Sequence, residues 1–211
     1  MARDGIPYIL IPLIITLLLS AGAWFTGLTL LYLAGAFPLF IAAFMAYFFR
    51  DPERQILAEP GLIVSPADGK VTRVQPLSPG QANSPTVVSI FLSPLDVHIN
   101  RAPIAGVIKD VAYTKGKFLM ATKEDSSLLN EQNAITIEGE QMTIVCKQIA
   151  GILARRIVCW KKRGDTVTRG ERFGLIKFSS RTDLILPPNV AVEVIVGTRV
   201  QGGSSIIGRL R

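Results

Sequence analysis

No Asp, Glu, Lys, Arg or His occurs between residues 6 and 49. A bilayer core takes about 20 helical residues, so this apolar run is long enough for two crossings. The pattern predicts spans at 6–26 and 27–49, with Gly22, Thr26, Gly27 and Thr29 marking a tight turn between them. Aromatic residues gather at the ends of the run, at Tyr8, Trp24, Phe25, Tyr47, Phe48 and Phe49, as at a lipid–water boundary. A cleaved leader would need a basic start, one short apolar core and a small-residue cleavage site. Here the run is too long, and only Arg3 and Asp4 precede it as charges. Residues 1–49 are therefore read as a membrane hairpin of two transmembrane helices.

After Arg50 the pattern changes to short runs rich in β-branched residues. Strands are predicted at 69–74, 86–92, 106–113, 134–138, 142–149, 154–160, 174–178, 183–186 and 190–196. Turn formers separate them, among them Pro-Ala-Asp-Gly, Glu-Gly-Glu, Arg-Gly-Asp and Pro-Pro-Asn. Beyond residue 49 no stretch keeps a 3.6-residue apolar period over three turns; residues 123–131 read as a short helix or a structured loop. The fold class is mainly β, a compact barrel or sandwich of short strands at 50–211, preceded by the hairpin.

Charge sharpens this division. Of 211 residues only 18% are charged, against about 25% in ordinary soluble domains. The formal net charge is +7, and the residues from Arg50 onward carry 22 basic and 15 acidic side chains. An even number of spans leaves both ends on one side, and cationic flanks favour the cytoplasmic face of the cell (inner) membrane. A basic domain there also faces anionic headgroups. No interleaving of aromatic and basic residues points to nucleic acid. Cys146 and Cys159 lie in apolar strand-like runs and read as reduced core residues.

The chain has a single histidine, His98. Its side-chain type alone titrates near neutrality when unperturbed, which makes it the first candidate for a general acid or base. Asp96, two residues earlier, is a candidate partner, because alternate residues of a strand share a face. One histidine and two scattered cysteines do not make a zinc site, so no metal is expected. No phosphate loop and no Gly-x-Ser-x-Gly elbow occur. Ser65-Pro66-Ala67-Asp68-Gly69-Lys70 reads locally as a β-turn feeding a strand. The terminal Gly202-Gly203-Ser204-Ser205 reads, by composition, as a flexible solvated tail.

Taken in order, several motifs change those local readings. They are Phe-Arg-Asp-Pro (49–52), Ser-Pro-Ala-Asp-Gly (65–69), Phe-Leu-Ser-Pro-Leu-Asp-Val-His-Ile-Asn-Arg-Ala-Pro (91–103) and Lys-Gly-Lys-Phe (115–118). Asn-Glu-Gln-Asn (130–133), Gly-Leu-Ile-Lys-Phe-Ser-Ser-Arg-Thr-Asp (174–183) and Gly-Gly-Ser-Ser (202–205) follow. From about residue 49 to 211 the set resembles the phosphatidylserine decarboxylases, pyruvoyl-dependent membrane enzymes, in their short form with an N-terminal hairpin.

The resemblance implies self-cleavage at Gly203–Ser204 into chains 1–203 and 204–211, which stay associated. Ser204 Oγ would attack the Gly203 carbonyl; loss of the Ser204 α-proton would then expel the Gly203 carboxylate, and hydrolysis would leave a pyruvoyl group. That group would form a Schiff base with phosphatidylserine, carry off CO₂, and yield phosphatidylethanolamine after reprotonation by His98. Asp68 would belong to the self-cleavage machinery, Arg181 is a candidate for the substrate phosphate, and a homodimer is implied. Two departures stand out. Arg101 occupies the place of a second histidine that longer bacterial members use to activate the serine, so that task is left to His98 or to Asp68, directly or through water. Ser179 replaces a usual glycine. The rival reading is a non-enzymatic, membrane-tethered carrier resembling lipoyl or biotinyl domains, for which Lys70 and Lys109 are poorly placed acceptors.

Overall fold

The computed structural model describes residues 1–120, 125–152, 156–178 and 180–211. The chain divides into two compact units, Met1–Pro52 and Glu53–Arg211. The start of the strand expected at 154–160, part of the element expected at 123–131, and Ser179 lie outside the described residues.

The first unit is a helical hairpin, α1 (Ile6–Thr26) and α2 (Thr29–Phe48). Both helices are long and apolar enough to cross a membrane. Leu10, Ile14, Leu17, Leu18, Leu30 and Leu33 are exposed on their outer surfaces, which suits hydrocarbon rather than water. Gly27 ends α1 in the left-handed region at φ +70°, donating its N–H to Ala23 O at 2.9 Å. The helices meet at small residues. Thr16 Oγ1 lies 3.0 Å from Pro12 O and 3.3 Å from Gly35 O, so it is placed between its own helix and the neighbouring one. A Cβ on Gly35 would stand 3.7 Å from Leu19 Cβ, room for a methyl group and no more. Gly35→Leu should therefore weaken this packing by about 1–3 kcal/mol, the usual cost of overfilling a tight contact. The expected readout is faster amide exchange across α2 in detergent micelles, with Gly35→Ala unchanged. At the end of α2, Arg50 covers the Tyr47 ring at 3.9 Å.

The second unit is mainly β. In chain order its elements are β1 (Leu62–Val64), β2 (Gly69–Pro76), β3 (Thr86–Leu92), β4 (Ile99–Arg101), β5 (Gly106–Thr114), α3 (Ser126–Leu129), β6 (Gln132–Glu138) and β7 (Thr143–Ala150). Then come β8 (Arg156–Cys159), β9 (Thr166–Val167), β10 (Arg172–Lys177), β11 (Ser180–Leu186), β12 (Val190–Val192), β13 (Arg199–Val200) and β14 (Ile206–Leu210). One large sheet runs β13-β2-β3-β11-β7-β6-β5-β9; two small ones run β4-β10-β8 and β1-β14-β12. All named strand pairs are antiparallel. Alternation builds the core: Val88, Ile90 and Leu92 of β3 and Leu184 and Leu186 of β11 point inward to join Ile135, Ile137, Ile144, Phe173 and Ile207.

Inside, a chain of amides ties β4 to the large sheet. Asn100 Nδ2 donates to Thr182 Oγ1 at 3.0 Å, Gln148 Nε2 to Asn100 Oδ1 at 2.9 Å, and Asn133 Nδ2 to Gln148 Oε1 at 3.0 Å. A buried, mutually satisfied network of this kind favours one register of the strands it joins. Cys146 is buried and Cys159 half-buried, both as free thiols. Burial pushes both thiols above their ordinary pKa, as for core residues rather than reactive ones.

Several elements differ from expectation. β11 starts at Ser180 rather than 183, because Ser180, Arg181 and Thr182 are buried polar residues that no hydrophobic pattern marks. β12 ends at Val192, although Val194 joins the core. The two- and three-residue strands β1, β4, β9 and β13 are too short to show a period.

Candidate active site

The terminal segment is not a flexible tail. β14 is the central strand of its sheet, paired with β1 on one side and β12 on the other, and Ile207 is fully buried. Composition suggested solvent; two strand ladders and a core side chain decide otherwise.

Just before β14 the chain turns tightly through Gln201–Ser205. Ser204 N–H donates to Gln201 O at 3.2 Å and Ser205 N–H to the same carbonyl at 3.0 Å. Ser205 Oγ accepts Gln201 N–H at 2.9 Å. Two outside groups hold the turn. Ser65 accepts Gly203 N–H at 2.8 Å on its carbonyl, and its own N–H donates to Ser205 O at 2.8 Å. Asp68 Oδ1 accepts Gly202 N–H at 2.8 Å. Gly203 sits at φ +83°, a left-handed conformation that side chains avoid. A Cβ there would also fall 2.9 Å from Arg101 Cδ and 3.1 Å from Ile56 Cδ1. Position 203 is thus a cradle that only glycine fits, next to a serine hydroxyl.

Asp68 itself is half-buried. Arg54 Nη2 lies 2.6 Å from its Oδ2, and Arg54 Nη1 donates to Gln201 Oε1 at 3.2 Å. Burial nonetheless pushes the Asp68 carboxyl above its ordinary pKa, only partly offset by Gly202 N–H and Arg54. A carboxylate so placed can take a proton more readily than an exposed one. Arg54 and Gln201 carry no signal in the sequence motifs, and Ser65 is marked there only as the first residue of Ser-Pro-Ala-Asp-Gly.

His98 lies at the entrance to β4, buried, with Nδ1 2.9 Å from the main-chain carbonyl of Asp96. The Asp96 carboxylate faces elsewhere, accepting Ser93 N–H at 2.8 Å and Arg199 Nη1 at 3.0 Å. Against burial, these Ser93 and Arg199 bonds hold the Asp96 carboxyl below its ordinary pKa. So the contact between Asp96 and the His98 ring runs through backbone. β4 then passes beside the Pro66–Asp68 turn, with Arg101 N–H donating to Pro66 O at 2.9 Å.

Arg181 lies on the opposite face of β11 from Thr182. It forms a buried ion pair with Asp183, Nη2 donating to Oδ2 at 2.9 Å and Nε standing 2.8 Å from Oδ1, and Nη1 donates to Ser126 Oγ at 3.1 Å. A cavity of about 310 Å³ opens here, lined by Thr72, Arg73, Gln75, Ser89 and Arg181. The contacts therefore gather Asp68, Arg101 and the Gly202–Ser205 turn; Arg181 belongs to a separate cluster.

Comparison with known proteins defines the class. The family model for phosphatidylserine decarboxylase matches residues 41–208. A phosphatidylserine decarboxylase proenzyme of Solibacter usitatus is 51% identical over 182 residues, covering 84% of this chain and 86% of the relative. One of Chlorobaculum parvum is 46% identical over 166 residues, 78% of each. One of Geobacter sulfurreducens is 40% identical over 213 residues, covering 99% of this chain and 96% of the relative. These relatives define an enzyme class, the decarboxylases, and displace the carrier reading. The chain belongs to the phosphatidylserine decarboxylase family.

Proposed function

We propose that this chain is a precursor that cuts itself at Gly203–Ser204 and thereby makes the pyruvoyl group with which it decarboxylates phosphatidylserine to phosphatidylethanolamine. The observation that carries the reading is the Gly202–Ser205 turn, clamped by Asp68 and Ser65 with a left-handed glycine before the nucleophile. The glycine removes side-chain crowding at the carbonyl to be attacked. The hydrogen bond from Ser204 N–H to Gln201 O orients the amide that becomes an amine as Ser204 Oγ takes over the acyl group. Asp68, raised in pKa and touching the turn, is the group that accepts a proton during cleavage.

Once formed at position 204, the pyruvoyl carbonyl supplies an electron sink for the carbanion left as CO₂ departs. His98 holds the proton returned to the substrate carbon, with Asp96 O fixing its ring through Nδ1. The 204–211 chain stays attached after the cut through both ladders of β14. Arg181, the candidate for the substrate phosphate, is already paired with Asp183 in a cluster apart from the Gly202–Ser205 turn, and no phosphate role is assigned to it. The hairpin keeps the site at the bilayer that holds a diacyl substrate, with the basic domain on the cytoplasmic face.

Intact mass under denaturing conditions tests this. The wild type should give a 1–203 chain and a 204–211 peptide lighter by ammonia than simple hydrolysis predicts. Ser204→Ala should remain one chain. A single uncut chain from both preparations would sink the proposal.

A further inference from the structure

Cleavage as proposed creates a charge where the precursor has none. A neutral peptide carbonyl at Gly203 becomes a carboxylate, and Gly203 is buried. A carboxylate formed in such a place is strongly disfavoured unless a cation and hydrogen-bond donors meet it. The structure puts the stem of a cationic side chain against that residue. Arg101 is 5% exposed, and its Cδ lies 2.9 Å from where a Gly203 Cβ would be.

Arg101 is fixed at both backbone and side chain. Its backbone N–H is held by Pro66 O, and its Nη1 donates to Gly170 O at 3.0 Å. Gly170 is in turn fixed to the end of β4, its N–H donating to Ala102 O at 2.8 Å while Ala102 N–H donates to Glu171 O at 2.8 Å. A guanidinium stays protonated at any physiological pH, so Arg101 cannot replace a histidine as a base. It presents five N–H donors in a rigid fork suited to a carboxylate. Its task must be to stabilise negative charge.

We infer that Arg101 receives the Gly203 carboxylate: it stabilises this leaving group during elimination and afterwards holds the new C-terminus of the 1–203 chain. The inference rests on the self-cleavage reading. The step balances without a further reagent. A base removes the α-proton of residue 204, and that electron pair forms the Cα=Cβ bond. The Cβ–Oγ ester bond breaks, and its pair leaves on the Gly203 carboxylate facing Arg101. Water and ammonia enter and leave only later, at residue 204.

The test separates ester formation from elimination in the full-length chain in detergent. Hydroxylamine cuts an ester but spares a peptide. Arg101→Met should still form the ester while eliminating about 10²–10³-fold more slowly, the usual effect of removing one charge-stabilising donor. Hydroxylamine-sensitive precursor should then accumulate, and Arg101→Lys, which keeps a cation on a similar stem, should recover most of the rate. Wild-type cleavage kinetics in Arg101→Met would overturn the inference. So would a folded methionine variant that forms no ester, since Arg101 would then act before the leaving group exists. Should the methionine variant not fold, Arg101→Gln, which keeps a polar side chain but no charge, decides: slowed elimination with accumulated ester supports the role, and wild-type kinetics reject it. Absence of cleavage in the wild type would instead reject the self-cleavage reading itself.

Discussion

Asp68→Asn should leave the precursor essentially whole, with cleavage slowed at least about 100-fold, the usual contribution of a positioned proton acceptor. The substitution keeps an oxygen to accept Gly202 N–H and removes the charge that faces Arg54. The turn should therefore survive while the proton acceptor is lost. The measurement is a time course of intact mass after synthesis, beside a melting curve; unchanged cleavage would remove Asp68 from the chemistry. The wild-type pH profile provides a second check. Because burial raises the Asp68 pKa, it accepts protons fully only above that raised value, and cleavage should fall on the acid side with a midpoint above the ordinary aspartate pKa of about 3.9. Stability has the opposite sign. A folded state that holds the proton more firmly than the unfolded chain is favoured by this group most below the unfolded pKa, and that contribution is lost as pH rises through the folded value. Asp68 thus favours a stable precursor and a reactive one on opposite sides of the same window.

Asp183→Ala should cost about 3–5 kcal/mol of stability, because it strands a buried charge. Asp183 and Arg181 both have side chains only 3% exposed, and Arg73 approaches the same carboxylate at 3.6 Å. In a protein of this size that cost corresponds to a melting point lower by roughly 10 °C. Arg181→Met in the same chain should recover most of the loss, since a hydrophobic replacement of a whole buried pair is often neutral. A single variant that melts like the wild type would show that the pair is replaceable by solvent. A double variant no better than the single would place the cost in lost packing rather than charge.

The physical reasons for what was legible lie in particular elements. The two N-terminal helices announce themselves because no charge interrupts residues 6–49, an apolar run long enough for two crossings. β3 is matched at both ends, 86–92, because alternate residues face the core and Pro85 and Ser93 flank it. β11 was legible only in its apolar half; its first residues are buried by hydrogen bonds and an ion pair, which leave no apolar period. β4 is three residues long, yet it carries His98 at its entrance and Arg101 at its end. Its importance comes from neighbours distant in sequence, Pro66, Gly170 and the Gln201–Ser205 turn.

The sequence by itself determined the pair of long apolar helices, the mainly β domain and the family, through long-range composition and an ordered set of motifs. It also marked Asp68, His98 and Ser204 as residue types with chemistry to offer. Only the tertiary structure decided that the Gly-Ser segment is a clamped turn followed by a central strand, that Asp68 touches that turn, and that Arg101 lies against Gly203. The bond from Gly202 to Asp68 joins residues 134 positions apart. Local composition reports how a segment behaves when it meets water; it does not report which other segment will take water's place.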